Sequence, residues 1–128
     1  MNSRFSKLTV AGFTAGLLLF TAGCAKLESR DNLNRGVREY KSAKYPEAVK
    51  YFQKAVELDP EFDTARLYLA TAYMSQWIPG AESDDNMKMA KAAEDNFKMV
   101  LERNPNDKLA IASIASLYYN QKKFDTAK

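Results

Sequence analysis

Few residues in this chain could do chemistry. There is no histidine, and Cys24 is the single cysteine among 128 residues. Acid–base catalysis near neutral pH, imidazole-activated nucleophiles and zinc coordination therefore lack their usual groups. Carboxylates remain: Glu57 with Asp59 and Glu94 with Asp95 are the closest pairs. Both fall on outward-facing or terminal positions of the helices described below, and no glycine-rich phosphate loop accompanies them. The run Glu82-Ser83-Asp84-Asp85 lacks the alternating oxygen ligands, central glycine and distal glutamate of a calcium loop. It suits a helix start, where serine and acidic groups meet the positive end of the helix dipole. The sequence predicts no catalytic residue, no metal site and no cofactor.

Cys24 has a different context. Arg4 and Lys7 precede a run from Leu8 to Ala25 without a charged residue, which closes on the small residues Thr21-Ala22-Gly23. A charged start, an apolar middle and a small-residue end are the parts of a secretory signal, expected over residues 1–23. A run of this length is also near the lower limit for crossing a bilayer, so an uncleaved membrane anchor is the alternative. Thr21-Ala22-Gly23-Cys24 resembles the lipobox of bacterial lipoproteins, with Thr21 departing from the leucine usual there. The resemblance implies cleavage before Cys24, a diacylglycerol on its sulfur and a third acyl chain on the new amino terminus. Several chains anchor durably where one is marginal. An ordinary signal cut after Ala25 would instead release a soluble exported protein. Ala25 is not the aspartate that retains lipoproteins in enteric inner membranes, which implies an outer-membrane address facing the periplasm.

Export alters the charge balance. The formal charge of +3 loses Arg4 and Lys7 with the signal and becomes +1. No basic run is interleaved with aromatics, and Lys122-Lys123 reads as a solvated turn, so nucleic acid is not an expected partner. A lone cysteine in an oxidising compartment makes no internal disulfide, so stability must come from packing.

The elements that would do the packing repeat. Ala48, Phe52, Ala55 and Pro60 recur as Ala93, Phe97, Val100 and Pro105 with the same internal steps, and Phe124 and Ala127 begin a third copy. After a polar tether over 24–31, Asp31 would cap a helix from about Asn32 to Ser42, with Leu33, Gly36, Val37 and Tyr40 at helical spacing. A second helix opens at Pro46, which suits a first turn, and ends near Leu58 before Pro60. Gly36 to Ala70 spans 34 residues. With that period the chain resembles the tetratricopeptide repeat family. Gly36, Tyr45, Ala48, Phe52, Ala55 and Pro60 match its pattern in the first copy. Ala70, Tyr73, Ala93, Phe97 and Pro105 match in the second, and Ala115, Tyr118, Phe124 and Ala127 in the third. Arg35 and Glu39 depart from it, as suits an end repeat facing solvent.

The expected fold is therefore all-α, a helix-turn-helix solenoid of about 2.5 repeats over residues 32–128 after an amino-terminal signal helix. The repeats fall at about 29–62, 63–107 and 108–128, the last incomplete and the second carrying an insertion near 75–89. Within the insertion, Trp77-Ile78-Pro79-Gly80 reads as a turn. Trp77 has two readings, a cover over an exposed end of the stack or a partner-binding anchor.

The family resemblance implies that the first helix of each repeat lines a groove for a peptide or helix. Transferred to this chain, that face is Leu33, Val37 and Tyr40, then Leu67, Thr71 and Met74, then Ala112, Ser116 and Tyr119. The chaperone-tail clamp of one subfamily would need Lys, Asn and Arg where this chain has Leu33, Val37, Tyr68, Leu109 and Ser113. An apolar groove suits a partner segment that docks by burial; equally, neighbouring repeats or the chain's own tail could bury these side chains. Arrays generally need three repeats and a polar cap, so further repeats or self-association are expected at the carboxyl end. The sequence thus points to a non-enzymatic, lipid-anchored envelope scaffold that binds protein, with roles in outer-membrane, pilus or secretion assembly implied by resemblance. The competing reading is a soluble periplasmic carrier or capping protein for an apolar small molecule or glycan.

Overall fold

Four prolines punctuate the chain. The computed structural model describes the backbone over residues 5–126 and side chains over 23–123. Its five helices are α1 (Phe5–Lys41), α2 (Tyr45–Leu58), α3 (Asp63–Gln76), α4 (Asp84–Arg103) and α5 (Lys108–Thr126). Pro46 lies in the first turn of α2, where a missing N–H is harmless, while Pro60 and Pro105 follow the ends of α2 and α4. The Ser83 hydroxyl accepts from Asn86 N at 3.3 Å and caps α4. The described residues form no strand, and the architecture is that of an all-helical tetratricopeptide-type solenoid.

Each helix packs mainly on its neighbours in sequence, with α4 against α5 the lightest junction. α3 is shared by two cores. Its Ala65, Leu69 and Ala72 face the cluster built on α2 around Phe52, and its Ala70 faces the cluster built on α4 around Phe97. Phe52 and Phe97 are both fully buried, each contributing roughly 2–3 kcal/mol of apolar transfer. Gly36 is where α1 makes room. A Cβ there would lie 2.5 Å from Phe52 Cδ1 and nearer still to Cε1.

Two expectations about helix ends are corrected. Residues 24–31, expected as a polar tether, are helical and belong to α1, and Asp31 is no cap: it pairs with Arg35 one turn later at 2.8 Å. The helix extends back because Ser29 is fully buried and donates from Oγ to Ala55 O at 2.7 Å, docking that turn onto α2. At the other end, Lys122 and Lys123 lie within α5 rather than in a turn. No glycine or proline interrupts Tyr119 to Thr126, whereas the α1–α2 turn bends through Ala43 at φ 58 ahead of Pro46. The expected second helix of the third copy therefore does not begin by Thr126. The side chains of the export signal, and of Phe124 and Ala127, lie outside the described residues. No helix among the described residues is long and apolar enough to cross a membrane.

Candidate functional site

A groove of about 300 Å³ opens between α3 and α5, lined by Thr64, Leu67, Tyr68, Thr71 and Leu109. One turn separates Thr64 from Tyr68 and Leu67 from Thr71, so four of these residues form a stripe along α3 that Leu109 closes from the first turn of α5. The Thr71 hydroxyl is satisfied within α3, donating to Leu67 O at 2.8 Å. That removes one polar demand from the groove lining. Tyr68 stacks on the buried Phe52, with ring centroids 5.5 Å apart, and is anchored by that contact while remaining 38% exposed. The site is a rigid apolar surface with an aromatic wall.

The nine residues expected to line one groove separate into four settings. Leu67 and Thr71 line it. Leu33 belongs to the α2-centred core at 9% exposure, with Val37 and Tyr40 packed against that core. Tyr40 is occupied further: its ring meets Tyr45 at 5.1 Å and its hydroxyl lies 2.9 Å from Ser75 Oγ. Met74 packs on the second core. Ala112, Ser116 and Tyr119 are exposed on α5, Tyr119 at 69%. Thr64, Tyr68 and Leu109 complete the groove but were absent from the expected face. Register could have found two of them, since Thr64 and Leu109 occupy equivalent places in successive first helices. Tyr68 could be read from the sequence only as a non-clamp residue, because its orientation depends on Phe52 beneath it.

Trp77 is 7% exposed within the second core, so its ring covers the stack and offers no surface anchor. The insertion behind it is fixed by Asn86, which the sequence did not single out. Asn86 Oδ1 accepts from Ile78 N at 2.7 Å, and Nδ2 donates to Ile78 O and Ala81 O, each at 2.8 Å. The Ala81 contact closes the turn that passes through Gly80 at φ 84. A buried amide with its groups satisfied holds a loop in one conformation.

The repeat junction is polar. Arg103 bonds Asp63 at 3.2 Å and Pro60 O at 2.7 Å, and Arg66 also donates to Pro60 O. Burial, then the adjacent Arg103, lowers the pKa of Arg66. At the α4–α5 junction Glu94 accepts from Lys98 and from the Tyr118 hydroxyl, the latter at 2.5 Å. Those bonds, Lys98 first, hold its carboxyl below the usual range. Among the described residues no group of His, Cys, Asp and Glu could hold a metal ion.

The family model of the tetratricopeptide repeat matches residues 30–62. The chain contains a tetratricopeptide repeat. The matched span covers residues 30–41 of α1, all of α2 and the turn into α3, the unit whose core is Phe52 against Gly36. No curated protein matches the chain. A repeat of this kind supports a protein-interaction scaffold, and proteins built from it are generally non-catalytic.

Proposed function

We propose that this protein is an envelope lipoprotein that binds a segment of another protein in the α3–α5 groove. The observation that carries the binding role is the groove itself: five lining residues, none charged, facing out from a repeat scaffold. Burial of an apolar partner stripe there yields roughly 25 cal/mol per Å² removed from water. The anchor reading rests on Thr21-Ala22-Gly23-Cys24 after an uncharged run, and Cys24 is exposed. An acyl group at Cys24 would leave little slack. The buried Ser29 lies five positions on, about 7.5 Å of helix at about 1.5 Å per residue. The scaffold would ride close to the membrane surface rather than on a long leash. Such placement suits outer-membrane, pilus or secretion assembly, where partners lie in or against the same bilayer.

Photo-crosslinking side chains at Thr64 and Leu109, with Lys54 on the outer surface as control, test the groove. Protein adducts from envelopes at the first two positions and not the third are expected. Adducts of equal yield at all three, or none, would overturn the groove. Incorporation of a labelled fatty acid that disappears in Cys24→Ser tests the anchor independently. No incorporation, with an apolar small molecule or glycan recovered from the purified protein, would favour the soluble carrier.

A further inference from the structure

The methionines with described side chains sit in different surroundings. Met74 and Met89 pack against the second core, and Met87 is exposed near the start of α4. Met99 is 47% exposed near the end of α4, and its sulfur lies 3.0 Å from Arg66 Nη1 of α3. The guanidinium is held in place around that contact. Nη1 also donates to Asn96 Oδ1 at 3.3 Å, and Nη2 donates to Pro60 O at 3.2 Å. Pro60 O is shared with Arg103, which also bonds Asp63. None of these Arg66 acceptors is a carboxylate, and the thioether is the weakest of them. The lowered pKa of Arg66 has the same origin, since burial and then the adjacent Arg103 outweigh the attraction of Asp63. A partly buried cation thus aims one donor at an atom that oxidation turns into a much better acceptor.

We propose that Met99 is an oxidation site whose sulfoxide is received by the Arg66 guanidinium, so that oxidation tightens the α3–α4 junction. The oxidant is of the peroxide class. Sulfur has two lone pairs; one faces Nη1 and the other attacks a peroxide oxygen. An S–O bond forms as the O–O bond breaks, and the proton on the transferred oxygen passes to the departing hydroxide, which leaves as water. Sulfur is oxidised by two electrons and the peroxide is reduced by two. Rotation about Cγ–Sδ, open to an exposed side chain, then brings the new oxygen round to Nη1. A charge-assisted N–H···O bond replaces one to neutral sulfur. Against a core the same conversion is disruptive, because the sulfoxide is polar. That is the outcome for Met74 and Met89, whereas at Met99 the donor is already in place and the sign reverses. The site shares no residue with the α3–α5 groove and does not depend on the anchor at Cys24.

Hydrogen peroxide applied to the folded full chain is the test. Cleavage after Lys98 and Arg103 isolates Met99 in the peptide 99–103, and mass spectrometry should find an added oxygen there before it appears at Met89. The chain oxidised at Met99, separated by chromatography, should have a higher urea midpoint by far-UV circular dichroism than the reduced chain. Its unfolding constant should be smaller by at least about threefold. In Arg66→Leu, where Arg103 still serves Pro60 O, oxidation should not raise the midpoint. Met99→Gln and Met99→Leu repeat the comparison without oxidant: the glutamine chain should be the more stable, and the difference should vanish in Arg66→Leu. A midpoint lowered or unchanged by oxidation of the parent would overturn the proposal. So would an equal rise with and without Arg66, a glutamine chain no more stable than the leucine one, or a Met99 that resists peroxide until the chain unfolds.

Discussion

Replacing Gly36 with alanine sets two effects of opposite sign against each other. In a helix interior the added methyl group alone should stabilise by about 1 kcal/mol, because alanine loses less backbone freedom on folding. Here the new Cβ would sit 2.5 Å from Phe52 Cδ1 and nearer to Cε1, with Cζ at 3.1 Å. Carbon atoms prefer about 3.5–4.0 Å, so the ring must retreat by about 1 Å. It has little room to do so, being fully buried and stacked on Tyr68. Overpacking of this kind costs about 1–3 kcal/mol, and a sealed aromatic belongs in the upper part of that range. The net expectation is destabilisation by about 1–2 kcal/mol, read as a lower urea midpoint by far-UV circular dichroism. In a Phe52→Leu background the alanine should do less damage, giving a coupling of at least about 1 kcal/mol in the double-mutant cycle. A Gly36→Ala protein more stable than the parent, or a cycle with no coupling, would refute the packing argument.

Three further outcomes follow from the same structure. Trp77→Ala should cost about 3–5 kcal/mol of stability by opening a cavity in the second core; unchanged melting with weakened partner binding would restore the anchor role. Ala43→Gly should stabilise by about 1 kcal/mol in the same denaturation assay, since φ 58 strains an alanine and not a glycine. The Glu94 carboxyl has a folded pKa lowered from an ordinary 4.5 by Lys98 and then Tyr118. Its stabilising contribution is complete above that ordinary value and is lost as pH falls through the lowered one. Hydrogen exchange should accordingly show α5 loosening under acid, and Tyr118→Phe should shrink that pH dependence; identical profiles would remove the Glu94–Tyr118 tie from the α4–α5 junction.

Much of the fold was legible because proline, small residues and phenylalanine act locally. Pro46 and Pro60 bound α2, and the recurrence of Ala48 and Phe52 as Ala93 and Phe97 marks which faces are buried. The start of α1 was not legible. Ser29 reads as a polar tether residue until a carbonyl 26 positions away accepts its hydroxyl. The groove was legible only in part, because register places Leu67 and Thr71 on the right helix face but does not reveal that Leu33 is enclosed by core.

Composition and periodicity by themselves determined the repeat, the all-helical class and the absence of histidine-based chemistry, since each depends on residue type and spacing along one chain. Tertiary structure alone decided three things. Trp77 is enclosed because it joins the buried cluster that holds Ala90 and Phe97, Tyr68 is a groove wall because Phe52 supports its ring, and Tyr118 is tied to the stack because Glu94 of α4 accepts its hydroxyl. Burial is a property of what comes to lie opposite a side chain. That is set by how successive helices stack, and the identity of the residue does not carry it.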